Sequence, residues 1–182
     1  MEILAHTLWT TAGVIKVNNT IKKKGKMFKL NIFWTAFWGI FPDLFAFSIP
    51  FVISFYKVIS GQQQFGSFST RHQVADGFNL SHTLYQYSHS LVIFAIVFLI
   101  LWAILRRPPW VVLGWAFHIL IDIPSHAMAF FPTPFLFPIS EYRFPYGVAW
   151  STLWFMIVNY SALALVWGSI LFKKHYRKSQ KT

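Results

Sequence analysis

Four long apolar runs, separated by short polar or basic stretches, organise the chain. Leu30 to Ile59 is apolar except for an interruption at Pro42-Asp43. Ser81 to Leu105 ends at Arg106-Arg107-Pro108-Pro109, and Trp110 to Phe131 and Gly147 to Phe172 complete the set. Each run reaches the roughly 20 residues that a helix needs to cross about 30 Å of hydrocarbon, so each predicts a transmembrane helix. Met1 to Val17 is mildly apolar and carries His6 and Gly13. At about 1.5 Å per residue it is short for a span, and predicts a membrane-embedded helix rising most of the way through the bilayer. No basic region precedes it and no convincing cleavage site follows, unlike a secretory signal, so it is expected to be retained. The expected fold is all-α: a polytopic transmembrane helix bundle with four full spans plus a short N-terminal membrane-embedded helix, forming one domain over residues 1–182.

Composition strengthens the membrane assignment. The 182 residues are 55% hydrophobic, 20% aromatic and only 12% charged, with a mean hydropathy of +0.49, unlike an ordinary soluble domain. A net charge of +11 would suit nucleic acid, but no recognition motif accompanies the basic residues. They sit instead in blocks beside apolar runs: a Lys-rich hairpin at 16–29, the Arg106-Arg107 pair, and a basic tail at 173–182. These hold 13 of the 16 Lys and Arg residues, and they fall in alternate connections. The asymmetry predicts a multi-pass protein with hairpin, Arg pair and C-terminus in the cytoplasm, and with outer loops at 61–80 and 132–146. With no cysteine, disulfides and thiolate ligands are excluded, which leaves His, Asp and Glu as metal ligands.

The polar residues inside the apolar runs carry the candidate chemistry. His118, Asp122 and His126 stand at four-residue steps, so His118 and Asp122 share one helix face. Buried in hydrocarbon, such groups need partners. Depths counted along the runs bring His6, Asp43, His89, His118 and Asp122 to a similar level. Three imidazoles and two carboxylates from separate helices are how a divalent metal site, mononuclear or dinuclear, is built. Each residue also has a plainer use. His6 or His89 alone could bond between helices, Asp43 could cap a half-helix after Pro42, and His118 with Asp122 could be a core hydrogen bond. His126 follows Pro124 and stands about 12 Å above His118, which suits a second metal or a substrate contact better than the same ion. His72, His82 and His175 are expected to be solvated.

In order along the chain, His6-Thr-Leu-Trp-Thr-Thr-Ala-Gly13, Phe41-Pro42-Asp43, Ser88-His89-Ser90-Leu91, His118-Ile-Leu-Ile-Asp122 and Phe137-Pro-Ile-Ser140-Glu-Tyr-Arg143-Phe resemble the small bacterial membrane-bound metal-dependent hydrolases. That family consists of integral inner-membrane proteins and is distantly similar to the zinc-dependent phospholipase C superfamily. The resemblance implies hydrolysis of a lipid or lipid-linked phosphoester by metal-activated water, at an ion expected to be zinc. His6, Asp43, His89, His118 and Asp122 would be its ligands. Asp43 or Asp122 would serve as general base, and His126 or Arg143 would meet an anionic substrate. The 132–146 loop, with Phe130, Phe131, Phe135 and Phe137 on or beside it, could be a lid. Membrane lipid would then be both surroundings and substrate source. The chain departs from the family at Phe45, where a second Asp is common, and at Tyr85-Gln86, where a His-Arg pair is common. These losses weigh against a multi-metal site and leave an inactive member open. A proton or metal-ion transporter is an alternative, which predicts polar groups continuing to both surfaces. A non-catalytic membrane protein held together by its metal is another.

Overall fold

The computed structural model describes residues 2–25, 28–62 and 74–179, and all regular structure among them is helical. The helices are α1 (Ile3–Lys23), α2 (Ile32–Ile59), α3 (Val74–Ser88), α4 (Leu91–Leu105), α5 (Leu113–Ser125) and α6 (Leu153–Ser179), with one 3-10 turn at Trp110–Val112. The central element is α2, which packs against α1, α3 and α5. Its buried stripe, Thr35, Gly39, Pro42, Asp43, Ala46 and Pro50, recurs at three- and four-residue steps and is mostly small, so neighbouring backbones can approach closely. Pro42-Asp43 does not interrupt it. The helix runs through both Pro42 and Pro50, because proline φ is helical and each proline removes only one backbone bond.

Two helices among the described residues, α2 and α6, are long and apolar enough to cross a membrane, and α3 with α4 would be a third as a bent pair. Four spans are therefore not realised. The expected span at 81–105 is broken at His89-Ser90, where α3 and α4 meet at 58°. Ser90 takes an extended conformation and caps α4, its Oγ accepting from Val92 N and Ile93 N at 3.1 and 3.2 Å. The expected span at 110–131 shrinks to α5, 13 residues long. Pro124 weakens its last turn, and His126 turns extended with φ −118° and ψ 123°. The carbonyls left open at its end are then met from beyond, by Val148 N on Pro124 O at 2.9 Å and Trp150 N on Ser125 O at 3.0 Å. For the same reason α6 begins at Leu153 rather than Gly147, and it continues to Ser179 rather than stopping at Phe172.

Other boundaries also move. The N-terminal helix is not short. With no Gly or Pro between Lys16 and Lys23 to stop it, α1 consumes half of the expected hairpin and turns only at Gly25, whose φ is +69°. Asn18 then fastens the connection, donating to Leu30 O at 2.9 Å and accepting from Leu30 N at 2.8 Å. Within the expected outer loop 61–80, residues 74–80 are helical, while 63–73, with Arg71 and His72, lie outside the described residues, as does Lys26. His82 and His175 are exposed, as expected of solvated groups.

The outer faces are apolar. Leu163 is the only buried residue among the described side chains of α6, while Leu153 and Leu165 are 75% and 76% exposed. Unpartnered apolar faces of this length match a lipid environment. Helices α1 and α6 lie side by side with Trp9 Nε1 donating to Asn159 Oδ1 at 2.9 Å and Tyr160 bonding Glu2, so both run in the same direction and end among lysines. Phe28 meets Trp110, which follows Arg106-Arg107, at 6.4 Å between ring centres. The described parts of all three basic blocks thus gather at one end of the bundle.

Candidate metal centre

The site begins with a close backbone approach. A side chain on Gly114 of α5 would run into the Thr35 carbonyl and come within 2.9 Å of the Gly39 nitrogen of α2. Only glycine permits that contact. One turn further along each helix stand His118 and Asp43, and a second turn along α5 brings Asp122 to the same face. His89 enters from the break between α3 and α4, where Trp115 Nε1 donates to Ser88 O at 2.5 Å and Leu91 N donates to Phe135 O at 3.0 Å. The broken span is thus what aims His89 inward. Non-helical backbone in a membrane segment belongs where it is enclosed by protein or lines a site.

Both imidazoles are oriented by a bond at Nδ1. His118 Nδ1 lies 2.8 Å from Gly39 O, an acceptor only, so it carries the proton and leaves Nε2 with a lone pair. His89 Nδ1 lies 2.9 Å from Ser88 Oγ, which accepts from Nδ1–H and leaves Nε2 bare when the hydroxyl donates to Tyr85 O, 3.5 Å away. The two Nε2 atoms then face each other at 3.0 Å. Asp122 Oδ2 is 3.1 Å from His118 Nε2 and 3.3 Å from His89 Nε2, and Asp43 Oδ1 is 3.7 and 3.5 Å from the same atoms. Asp43, His89, His118 and Asp122 are all buried, with ligand atoms within 4.8 Å of one another.

That crowd of acceptors needs a positive charge among them, either a cation or a bound proton. A tetrahedral zinc with bonds of about 2.0–2.1 Å holds neighbouring ligand atoms about 3.3 Å apart. The five His–His and His–Asp separations run from 3.0 to 3.7 Å and bracket that value, while the two carboxylates come within 4.8 Å of each other. Two carboxylates with neutral imidazoles carry a charge of about −2, which a divalent ion balances and a single proton does not. These four residues could therefore hold a metal ion; the donor set does not select which one.

The remaining candidates fall outside this group. His6 stacks on His118 with ring centres 3.7 Å apart, and its Nε2 meets the other oxygen of Asp122 at 2.9 Å, so it reaches the site through that carboxylate. His6 Nδ1 is buried without a hydrogen-bond partner among the described residues. His126 is buried at the end of α5, 3.9 Å from Asp122 Oδ2, with its Nδ1 2.6 Å from the Tyr85 hydroxyl. Arg143 is half-buried, and donates to Glu141 O at 2.8 Å and Tyr142 O at 3.3 Å. Partial burial lowers its pKa, opposed by the Glu141 carboxylate.

Tyr85 is the residue that sequence reasoning missed. Its ring stacks on His89 with centres 3.7 Å apart, and its hydroxyl also meets Phe131 O at 3.0 Å. It counted only as a departure at Tyr85-Gln86, yet it stands four residues before His89, which places it on the ligand's face of α3. That spacing was the available signal. Phe45, the other departure, is 39% exposed and points away. Comparison of the chain with known protein families, with curated proteins and with solved structures finds no match.

Proposed function

We propose that this protein is a membrane-embedded, metal-dependent hydrolase of the kind its motifs resemble, acting on a lipid or lipid-linked phosphoester. The observation that carries the proposal is the convergence of Asp43, His89, His118 and Asp122 at separations suited to one divalent ion. Zinc is the ion proposed, since a mixed set of imidazoles and carboxylates suits it. Bound there, the ion would supply the Lewis acidity that activates water and polarises a phosphoryl oxygen. Gly39 and Ser88 hold the two imidazoles in the ligating tautomer. Asp43, the most exposed of the four at 7%, is the carboxylate placed to accept a proton, and His126 with Tyr85 offers polar contacts beside it. The lysine-rich end is assigned to the cytoplasm of a bacterial inner membrane, following the charge asymmetry.

A second reading is a metal that only joins helices. The complete burial of His89, His118 and Asp122 favours it, because a substrate must reach them. Elemental mass spectrometry on detergent-purified wild type, His118→Ala and Asp122→Ala tests the shared premise. One equivalent of metal, lost in both variants, is expected; folded wild type without metal ends both readings. Assays on phospholipid and lipid-phosphate substrates then separate them. Turnover abolished by Asp43→Asn supports the hydrolase, whereas no turnover together with a chelator-induced fall in melting temperature supports the structural metal.

A further inference from the structure

At the end of the bundle remote from Glu2, α1 and α6 separate. They touch at Ala5 and Leu163, and past Ala12 and Val166 they open into a groove with a cavity of about 800 Å³. Its wall is apolar through Ile15, Ile170 and Leu171, and its mouth carries Lys16 and Lys23 from α1 with Lys173 and Lys174 from α6. No acidic residue among the described ones lines it. Trp167 is also in the wall, and its buried indole N–H has no hydrogen-bond partner among the described residues. Four like charges brought together by two helices, with no acidic side chain among the described lining, favour an anion between them.

We infer that this groove binds one anionic phospholipid of the leaflet at the lysine-rich end, its acyl chains along the apolar wall and its phosphate among the four lysines. The flanking faces of α6 are exposed and apolar, so the groove opens sideways to the acyl region, as a lipid needs and a soluble anion does not. The lysines are exposed and free to bend around a headgroup. The inference is independent of the metal centre, which lies among α2, α3, α4 and α5.

Native mass spectrometry of the full chain in detergent, titrated with phosphatidylglycerol and with phosphatidylcholine, tests the site. Wild type is expected to retain one phosphatidylglycerol, and to retain it still after metal is chelated. Converting Lys16, Lys23, Lys173 and Lys174 to Gln should weaken retention at least tenfold, since each lysine near an anionic lipid is worth roughly fivefold. Converting Lys22, Lys29, Arg106 and Arg107 to Gln removes the same charge at the same end and should leave it unchanged. Ser169→Trp, which narrows the groove without altering charge, should also lower it. Equal losses in the two charge variants would mean diffuse attraction and overturn the site. Equal retention of phosphatidylcholine would do the same, as would displacement of the lipid by millimolar glycerol phosphate.

Discussion

Adding one methyl group at Gly114 should weaken the metal centre without touching a ligand. An alanine Cβ there would stand 2.9 Å from Gly39 N and 3.2 Å from the Thr35 carbonyl carbon, with the carbonyl oxygen nearer still. Ordinary carbon contacts begin at about 3.5 Å, and backbone atoms cannot rotate away as a side-chain tip can. Helices α2 and α5 must therefore part by on the order of 1 Å, at an overpacking cost of about 1–3 kcal/mol. His118 moves with α5 while Asp43 stays with α2, so their 3.7 Å separation grows towards about 4.7 Å. That takes the pair well beyond the roughly 3.3 Å at which one tetrahedral ion holds neighbouring ligands. Gly114→Ala should then bind zinc at least tenfold more weakly than wild type in a competition titration with a chelating dye, and zinc should raise its melting temperature less. Gly13→Ala is the control, since its Cβ would meet only Phe117 Cζ, at 4.0 Å, and the gain in helix propensity makes it neutral or stabilising by up to about 1 kcal/mol. If Gly114→Ala keeps wild-type zinc affinity and melting temperature, the close contact is not what sets the ligand geometry.

His6→Ala should retain zinc with about 10- to 100-fold lower affinity, because it removes a partner of the ligand Asp122 and not one of the four; complete loss of metal in the same titration would make His6 a ligand itself. Tyr85→Phe keeps the ring on His89 but strips the bonds to His126 and Phe131 O, so it should lower unfolding stability by about 1–3 kcal/mol at unchanged metal content. Asn18→Ala should cost about 1–2 kcal/mol in the same unfolding assay and leave the metal in place, since it frees only the α1–α2 connection.

What the sequence showed of the site came from period and depth. His118 and Asp122 share a face because four residues make nearly one helical turn, and that held. Asp43 and His89 joined them because their distances along their runs matched. His6 matched in depth too, but depth fixes only one coordinate. Rotation about α1 turns its ring onto His118 and its nitrogen onto Asp122, which no count of residues could show. The span count failed for a related reason. Hydropathy registers that residues 81–105 and 110–131 are apolar, whereas helix continuity depends on Ser90 capping α4 and on Pro124 with the 147–150 segment closing α5. Ser90 stood only inside a motif and Pro124 only as the residue before His126, and the two breaks also rest on bonds to Phe135, Phe137, Val148 and Trp150, about 25 to 50 positions away.

The same breaks that spoiled the span count build the centre. One ligand comes from the unbroken α2, one from the α3–α4 corner and two from α5, while α6 supplies none, so an ion there would tie residues 43 to 122 into a closed unit. Within that unit the weakest part is the corner, where beyond the bond from His89 N to Tyr85 O the backbone depends on Ser90, Phe135 and Phe137. Loss of metal should therefore free the corner before it separates α2 from α5, whose backbones meet directly at Gly39 and Gly114. Hydrogen exchange measured with and without chelator would show the order: amides of residues 88–91 and 135–137 should lose protection first. Uniform loss across α2 and α5 at the same chelator concentration would mean that the metal, rather than the glycine contact, holds the two helices together.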